Sequence, residues 1–438
     1  MNIETLKEII VDQEKEIEQI IKEPKIIKRD VTEPYSKFIR KDIIIVITGV
    51  RRCGKSVLCH QLLNNKKYKY INFDDERLKG LKADDLNNVL KAFYELYGDV
   101  SVILLDEVQN VEGWELFANR LNRMGIEVIV TGSNSMLLSS EMATHITGRH
   151  IPLILFPFSF GEFLKYEKIE ILKTDFYDSK KASLIKKKLE EYIQIGGFPQ
   201  VVQNKEISKE YLSSLYDSIL LKDIVLRHKV RFSNQLRDIS NYLLSNPGEI
   251  VSYNRLTNLF EIKNIRTVKQ YVSYLKEAYL VCMLNKFSNK PQEIIRSRKK
   301  AYPIDVGLTN SVSVISRENK GRKIECIVAL ELLRRKDREL FYWQDQQGNE
   351  VDFIVKKRND IEELIQVCYD IENEHTKNRE LRSLLKGSKE LKCPNLSVIT
   401  WDFESKEETE EKKIAFIPLW KWLLKANNSA TNDENSLI

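Results

Sequence analysis

The chain has 438 residues, of which 42% are hydrophobic and 31% charged, with a net charge of +6. That length predicts roughly two to four domains rather than one, and no apolar run approaches the roughly 20 residues needed to span a bilayer. The N-terminus carries acids early and shows no signal-peptide core; the cysteines at 53, 59, 282, 326, 368 and 393 form no C-x-x-C pair, so the sequence reads as a reduced, cytoplasmic protein without structural zinc.

Residues 3–22 place Ile3, Leu6, Ile9, Ile10, Ile17, Ile20 and Ile21 on one side, which predicts an amphipathic helix packed on the following domain. After Pro24 and Pro34 comes a β-branched run, Ile43 to Ile47, then Thr48 and Gly49-Val50-Arg51-Arg52-Cys53-Gly54-Lys55-Ser56, then a helical start at Val57. Buried strand, glycine loop and helix N-terminus in that order predict a phosphate-binding P-loop (Walker A), with Gly49 to Val57 around the phosphates of ATP. Lys55 would reach the β- and γ-phosphates, and the Ser56 hydroxyl would ligand Mg²⁺. The four fixed positions can match by chance; the strand before and the helix after argue against that.

A second strand, Lys69 to Phe73, ends in the acids Asp74-Asp75-Glu76, and a helix follows near 84–97. Val102-Ile103-Leu104-Leu105-Asp106-Glu107 then has the Walker B form. Asp106 would hold Mg²⁺, and Glu107 would orient or deprotonate the attacking water. A helix near 114–123 leads to the strand Glu127 to Val130 and to Thr131-Gly132-Ser133-Asn134. Ser133 or Asn134 is either a sensor of the γ-phosphate or a polar cap on a turn. Arg149 either stabilises transition-state charge, in cis or from a neighbouring subunit, or makes a structural salt bridge. Strands alternating with helices predict a parallel sheet covered on both faces.

Residues 181–230 read as helices broken at Gly196-Gly197-Phe198-Pro199, in the manner of a helical lid. Between 232 and 290, three short helices and the strand Leu280 to Leu284 predict a winged helix. Its third helix offers Arg266, Lys269, Gln270 and Lys276, with Lys263 just before, for DNA contact; simple intramolecular packing is the open alternative. Lys290 to Lys300 reads as a basic loop that either touches phosphates or, by default, is a solvated linker. From 301 to 425 a helix with Glu325, a hairpin through Gln347-Gly348-Asn349, the strand Leu364 to Tyr369, a helix at 376–391, the strand Leu396 to Trp401 and a helix at 418–424 predict an α/β sandwich. The fold expected is therefore α/β: an ATPase core at 1–170, a lid at 171–230, a winged helix at 231–290, a sandwich at 291–425 and a disordered tail at 426–438.

Taken together, Ile47 to Ser56, Leu104-Leu105-Asp106-Glu107-Val108-Gln109, Thr131 to Asn134, Phe156 to Phe163, Gly196 to Pro199 and Glu350-Val351-Asp352-Phe353 resemble prokaryotic ATPases that pair an AAA-type P-loop core with a C-terminal DUF4143 domain. The resemblance implies a winged helix and a domain related to the PD-(D/E)xK nuclease fold, in which a helix Glu, a strand Asp and an acid-x-Lys bind metal and activate water. Glu325 and Asp352 fit the first two. The third strand departs from the pattern, with Gln366-Val367-Cys368 where acid-x-Lys is needed, which implies a fold kept for binding with cleavage lost. The expected function is a Mg²⁺-dependent ATPase acting through these modules on DNA or a DNA-bound partner, as a single chain or a homo-oligomer, with no membrane. A non-turnover ATP switch and an ATP-gated nuclease are the alternatives.

Overall fold

The computed structural model describes residues 1–21, 26–63, 66–138, 149–312, 320–335, 337–409 and 412–432. The chain divides into two compact units: Met1–Pro157 with Glu277–Tyr279, and the remainder.

The first unit is built on five parallel strands: β1 (Ile44–Thr48), β2 (Lys69–Asn72), β3 (Val102–Asp106), β4 (Glu127–Gly132) and β5 (His150–Ile154), in the order β2-β3-β4-β1-β5. Every residue of β1 and β3 is buried, as continuous Ile/Val/Leu runs in a doubly covered parallel sheet require. Helix α1 (Ile3–Ile21) seats Leu6, Ile9 and Ile10 in the same core as Ile44, Val46 and Ile103. Its buried stripe ends at Ile17, and Ile20 and Ile21 stay exposed, so the apolar side is longer in sequence than the surface it covers. Besides a short helical turn at Thr32–Ser36, the longer helices are α2 (Lys55–Leu62), α3 (Leu86–Tyr97) and α4 (Trp114–Arg123). The register sets Thr48 opposite both Gly132 and Ile154, and Asn72 opposite Asp106. The loops leaving β1, β3 and β4 therefore share the carboxyl edge of the sheet, where open α/β sheets bind ligands.

The second unit starts with helices α5 (Phe160–Tyr166), α6 (Ser179–Ile195) and α7 (Ser208–Ser218), the last continuing as a wider π-helical stretch over Ile219–Leu226. Glycines 196 and 197 have a packing reason. A Cβ on Gly196 would lie 1.9 Å from Asp305 Oδ1, and the Gly197 amide donates to Asp305 Oδ2 at 2.7 Å. Next come α8 (Ser233–Ser245), β6 (Glu249–Val251), α9 (Tyr253–Leu259), α10 (Ile265–Glu277), β7 (Val281–Lys286) and β8 (Lys299–Pro303). The C-terminal part adds α11 (Lys320–Leu333), β9 (Glu339–Gln344), β10 (Glu350–Lys357), β11 (Asp360–Cys368), α12 (Glu374–Leu391), β12 (Leu396–Thr400), β13 (Ser405–Thr409), β14 (Lys412–Pro418) and α13 (Leu419–Asn432).

Three expectations change here. The strands form one mixed sheet, β13-β14-β12-β11-β10-β9-β7-β8-β6, in which β7 pairs with β8 on one side and β9 on the other, so residue 290 falls inside a continuous sheet. Lys290 to Lys300 is no solvated linker: it forms a short helix, Pro291–Arg296, and enters β8, where Lys300 is only 2% exposed. The closing helix runs past residue 424 to Asn432, so residues 426–432 are helical rather than a disordered tail; 433–438 lie outside the described residues.

Candidate active site

The P-loop is shaped by its glycines. Gly49 has φ +150 and Gly54, the residue before α2, has φ +96. A Cβ on Gly49 would sit 2.2 Å from the Leu155 carbonyl oxygen, so the loop tolerates no side chain there. Arg52 also takes a left-handed conformation, at φ 67. Buried Arg29 braces the loop by donating to the carbonyls of Cys53 at 3.0 Å and Phe156 at 2.7 Å. Sequence reasoning passed over Arg29, which lies outside every motif. Arg51 pairs with Asp74 at 3.1 Å, giving the acids after β2 a role.

Lys55 is 4% exposed and donates to the carbonyls of Gly49 (3.2 Å) and Val50 (3.4 Å); its ammonium lies 3.3 Å from Glu107 Oε1. Asp106 accepts from the Thr131 hydroxyl and from Tyr70 at 3.1 Å. Burial and then the neighbouring Glu107 charge push the Asp106 carboxyl up from its ordinary value. Burial also works to raise Glu107, but Lys55, Gln109 and Arg51 outweigh it and bring that carboxyl down to about 2. Glu107 sits at φ 52, a strained conformation for a non-glycine residue, and its amide donates to Thr131 Oγ1 at 3.1 Å. Thr131, Tyr70 and Gln109 were not singled out as site residues; for Thr131 and Gln109 the signal was closeness to a motif, and for Tyr70 a polar end on an otherwise apolar strand.

The remaining predicted residues separate. Ser133 is buried, and its Oγ accepts from Gln109 Nε2 at 3.3 Å, which joins it to Glu107. Asn134 turns its Oδ1 to the amide of Met136 at 2.8 Å, the polar-cap role. Arg149 is exposed at the opposite end of the sheet: its carbonyl accepts from Ile44, where β1 begins. Roughly 13 Å of strand separates it from the P-loop edge, so a role for Arg149 in cis is not supported.

A second polar cluster lies in the C-terminal sheet. Lys300, from β8, places Nζ 2.9 Å from Glu325, 2.7 Å from Glu350 and 3.0 Å from Asp352. Tyr302 donates to Glu325 at 2.7 Å. Asp352 also accepts from the Val367 amide at 3.0 Å, and Gln366 donates to Glu380 at 2.5 Å. A cavity of about 490 Å³ adjoins, lined by Glu325, Glu350, Asp352, Gln366, Arg379 and Glu380 among others. Burial pushes Glu325 up to about 7 against the pull of Lys300, and raises Glu350 as well. The third strand carries no lysine, as its Gln366-Val367-Cys368 sequence requires, but an ammonium reaches these acids from β8. Among the described residues, no group of three His, Cys, Asp or Glu side chains is arranged to hold a metal ion.

A five-stranded parallel sheet with a glycine loop, a buried lysine and paired acids at its carboxyl edge defines a P-loop ATPase domain. Residues 41–164 match the AAA domain family, 186–319 match a domain of unknown function, DUF8612, and 320–422 match another, DUF4143. The chain is 37% identical over 425 residues to uncharacterized protein MJ1544 of Methanocaldococcus jannaschii, covering 93% of each. It is 31% identical over 358 residues to an uncharacterized protein of Haemophilus influenzae, covering 77% of this chain and 86% of that one. It belongs to the family of AAA-type P-loop ATPases that carry a C-terminal DUF4143 domain. Among solved structures, a signal transduction ATPase with a tetratricopeptide repeat sensor from Pyrococcus horikoshii is 12% identical with a TM-score of 0.27, covering 71% of this chain and 46% of that one. Cdc6p of Pyrobaculum aerophilum is 12% identical with a TM-score of 0.25, covering 65% and 90%. Likenesses this weak carry no inference. Among the described residues, no helix is long and apolar enough to cross a membrane.

Proposed function

We propose that the protein is a Mg²⁺-dependent ATPase whose nucleotide state controls the modules of its second unit, acting on DNA or a DNA-bound partner. The observation that carries this reading is the meeting of Lys55, Ser56, Asp106 and Glu107 at one sheet edge. The residues fit the nucleotide and its metal. The Gly49 turn excludes a side chain, Lys55 is held by carbonyls that a phosphate can outcompete, and the Ser56 hydroxyl sits near enough to Asp106 to oppose the rise of its carboxyl. Mg²⁺ bound there would neutralise charge developing on the phosphates. The loop amides and Lys55 bind and orient the triphosphate, and the Glu107 carboxylate, released as Lys55 turns to the phosphates, takes a proton from the attacking water. The water oxygen bonds to the γ-phosphorus as the bond to the ADP oxygen breaks.

The order α8-β6-α9-α10-β7-β8, with β6 and β7 both antiparallel to β8, supports a winged-helix reading of the second unit. Lys263, Arg266, Lys269 and Lys276 are exposed while Val268, Tyr271, Val272 and Leu275 are buried, as a DNA-facing helix requires. An exposed Arg149 suits action on a neighbouring copy of the chain. The test is phosphate release with and without duplex DNA. Turnover that survives Lys55→Ala would refute the P-loop assignment; binding without turnover would leave the switch reading.

A second reading, an ATP-gated nuclease, is favoured by Lys300, which brings an ammonium to Glu325 and Asp352. It requires Mg²⁺- or Mn²⁺-dependent nicking that disappears in Asp352→Ala. No nicking with any divalent metal leaves the domain as a binding module.

A further inference from the structure

We propose that Gln109 is a positioning residue for Glu107, fixing one carboxylate oxygen so that the other is presented to the attacking water. The inference rests on the hydrolysis reading above. The two oxygens of Glu107 have different partners. Oε1 lies 3.3 Å from Lys55 Nζ, and Oε2 accepts from Gln109 Nε2 at 2.5 Å. The same amide nitrogen lies 3.3 Å from Ser133 Oγ, so Gln109 ties the end of β3 to the end of β4.

Chemistry fixes which way the amide faces. Reversed, it would press its own oxygen against a carboxylate oxygen at hydrogen-bond distance. In the orientation that remains, Gln109 Oε1 is buried with no hydrogen-bond partner among the described residues. Native structures carry few such groups, and each calls for a reason. Here the reason is that Nε2 bridges two residues of the site. The fit depends on the neighbouring strand: a Cβ on Gly132 would sit 2.3 Å from Gln109 Oε1, so the glycine keeps the space the amide occupies.

The two partners of Glu107 differ in what a triphosphate does to them. Lys55 is the group the phosphates compete for, and when it turns to them Oε1 is released. Gln109 carries no charge for the phosphates to attract, so its hold on Oε2 persists. Oε1 then accepts the proton of the water whose oxygen bonds to the γ-phosphorus as the bond to the ADP oxygen breaks, and that proton leaves with inorganic phosphate. A carboxylate held by one oxygen is one that need not be reoriented during the reaction.

The experiment uses the full chain, Gln109→Met as an apolar side chain of similar length, and Gln109→Asn, which keeps the amide but shortens its reach. The expected result is a fall in kcat of about 10- to 100-fold for Gln109→Met, as for loss of one hydrogen bond to a charged group, with KM for ATP and Kd for a non-hydrolysable ATP analogue within about twofold of wild type. In a Glu107→Gln background Gln109→Met should lower kcat no further. In nucleotide-free protein, a urea-unfolding cycle of Glu107→Ala with Gln109→Met should show coupling between the two side chains. Wild-type kcat in both Gln109 variants overturns the proposal, as does an equal loss in the Glu107→Gln background. Absence of turnover in the wild type overturns the hydrolysis reading, and this one with it, while leaving analogue binding to be measured independently.

Discussion

Lys55 and Lys300 are both buried among carboxylates, one in each compact unit, yet the two clusters are balanced in opposite ways. Around Lys55, positive charge is sufficient for Glu107, though burial and the Glu107 charge still raise Asp106. With Arg51 near, Glu107 is driven down to about 2, and Lys55 directs its remaining hydrogen bonds to two loop carbonyls. Around Lys300, one ammonium meets Glu325, Glu350 and Asp352, and burial holds Glu325 near 7. The first lysine can exchange weak carbonyl partners for an anion. The second is fully engaged by acids, in a cluster short of positive charge. The same ingredients thus give an anion site in one unit and a cross-link between β8, β10 and α11 in the other.

The largest effect that tests this contrast is on stability. Lys300→Met leaves buried carboxylates unpaired and should destabilise the second unit by about 3–5 kcal/mol, read as a lower urea midpoint. Lys55→Met should cost its unit clearly less. Equal costs would erase the distinction. Next comes catalysis: Lys55→Ala should lower kcat on the order of 10²–10³-fold, as for loss of one preorganised donor, with the fold retained.

The pH dependence should also differ in sign. Glu325 has a folded value of about 7 against an ordinary 4.5, so between those limits the native state binds more protons than the unfolded one. Stability of the second unit should therefore fall as pH rises from about 4.5 to 7, by at most about 3 kcal/mol. Glu325→Gln should flatten that slope. Glu107, depressed to about 2, contributes stability that is present above 4.5 and lost as pH falls toward 2. A second-unit midpoint that stays constant across pH 4.5 to 7 would contradict the charge shortage.

The same contrast explains what was legible in the sequence. The Lys55 site is written in local order: strand, glycine loop, helix, then a strand ending in Asp106-Glu107. Each piece depends on neighbours a few residues away, so residue pattern alone finds it. The Lys300 cluster gathers residues from β8, α11 and β10, and no local spacing links position 300 to 352. Lys300 looked like part of a solvated basic run because burial is decided by sheet pairing, here β8 between β6 and β7. Gln109 was visible beside the acids, but its bond to Glu107 depends on the backbone turning to φ 52 at Glu107 and on the space at Gly132. Arg149 lies away from the P-loop for a register reason: β5 runs parallel to β1, which puts its first residues at the opposite edge.

The smallest effect is expected at lysines of a third kind, exposed rather than buried. On α10 the side chains of Val268, Tyr271, Val272 and Leu275 go into the core, which leaves Lys269 and Lys276 facing solvent. Lys269 Nζ lies 5.7 Å from the Tyr253 ring centroid, an interaction that costs little to give up. Charge reversal at either lysine should therefore leave folding and basal ATP turnover intact. If α10 meets DNA, removing one lysine–phosphate pair should reduce the slope of log affinity against log salt by roughly one, nearly independent of sequence. Measured by anisotropy on a labelled duplex, an unchanged slope in Lys269→Glu with Lys276→Glu would make α10 a packing helix. The basic face would then be solvated surface, and DNA would have to be met, if at all, elsewhere on the chain.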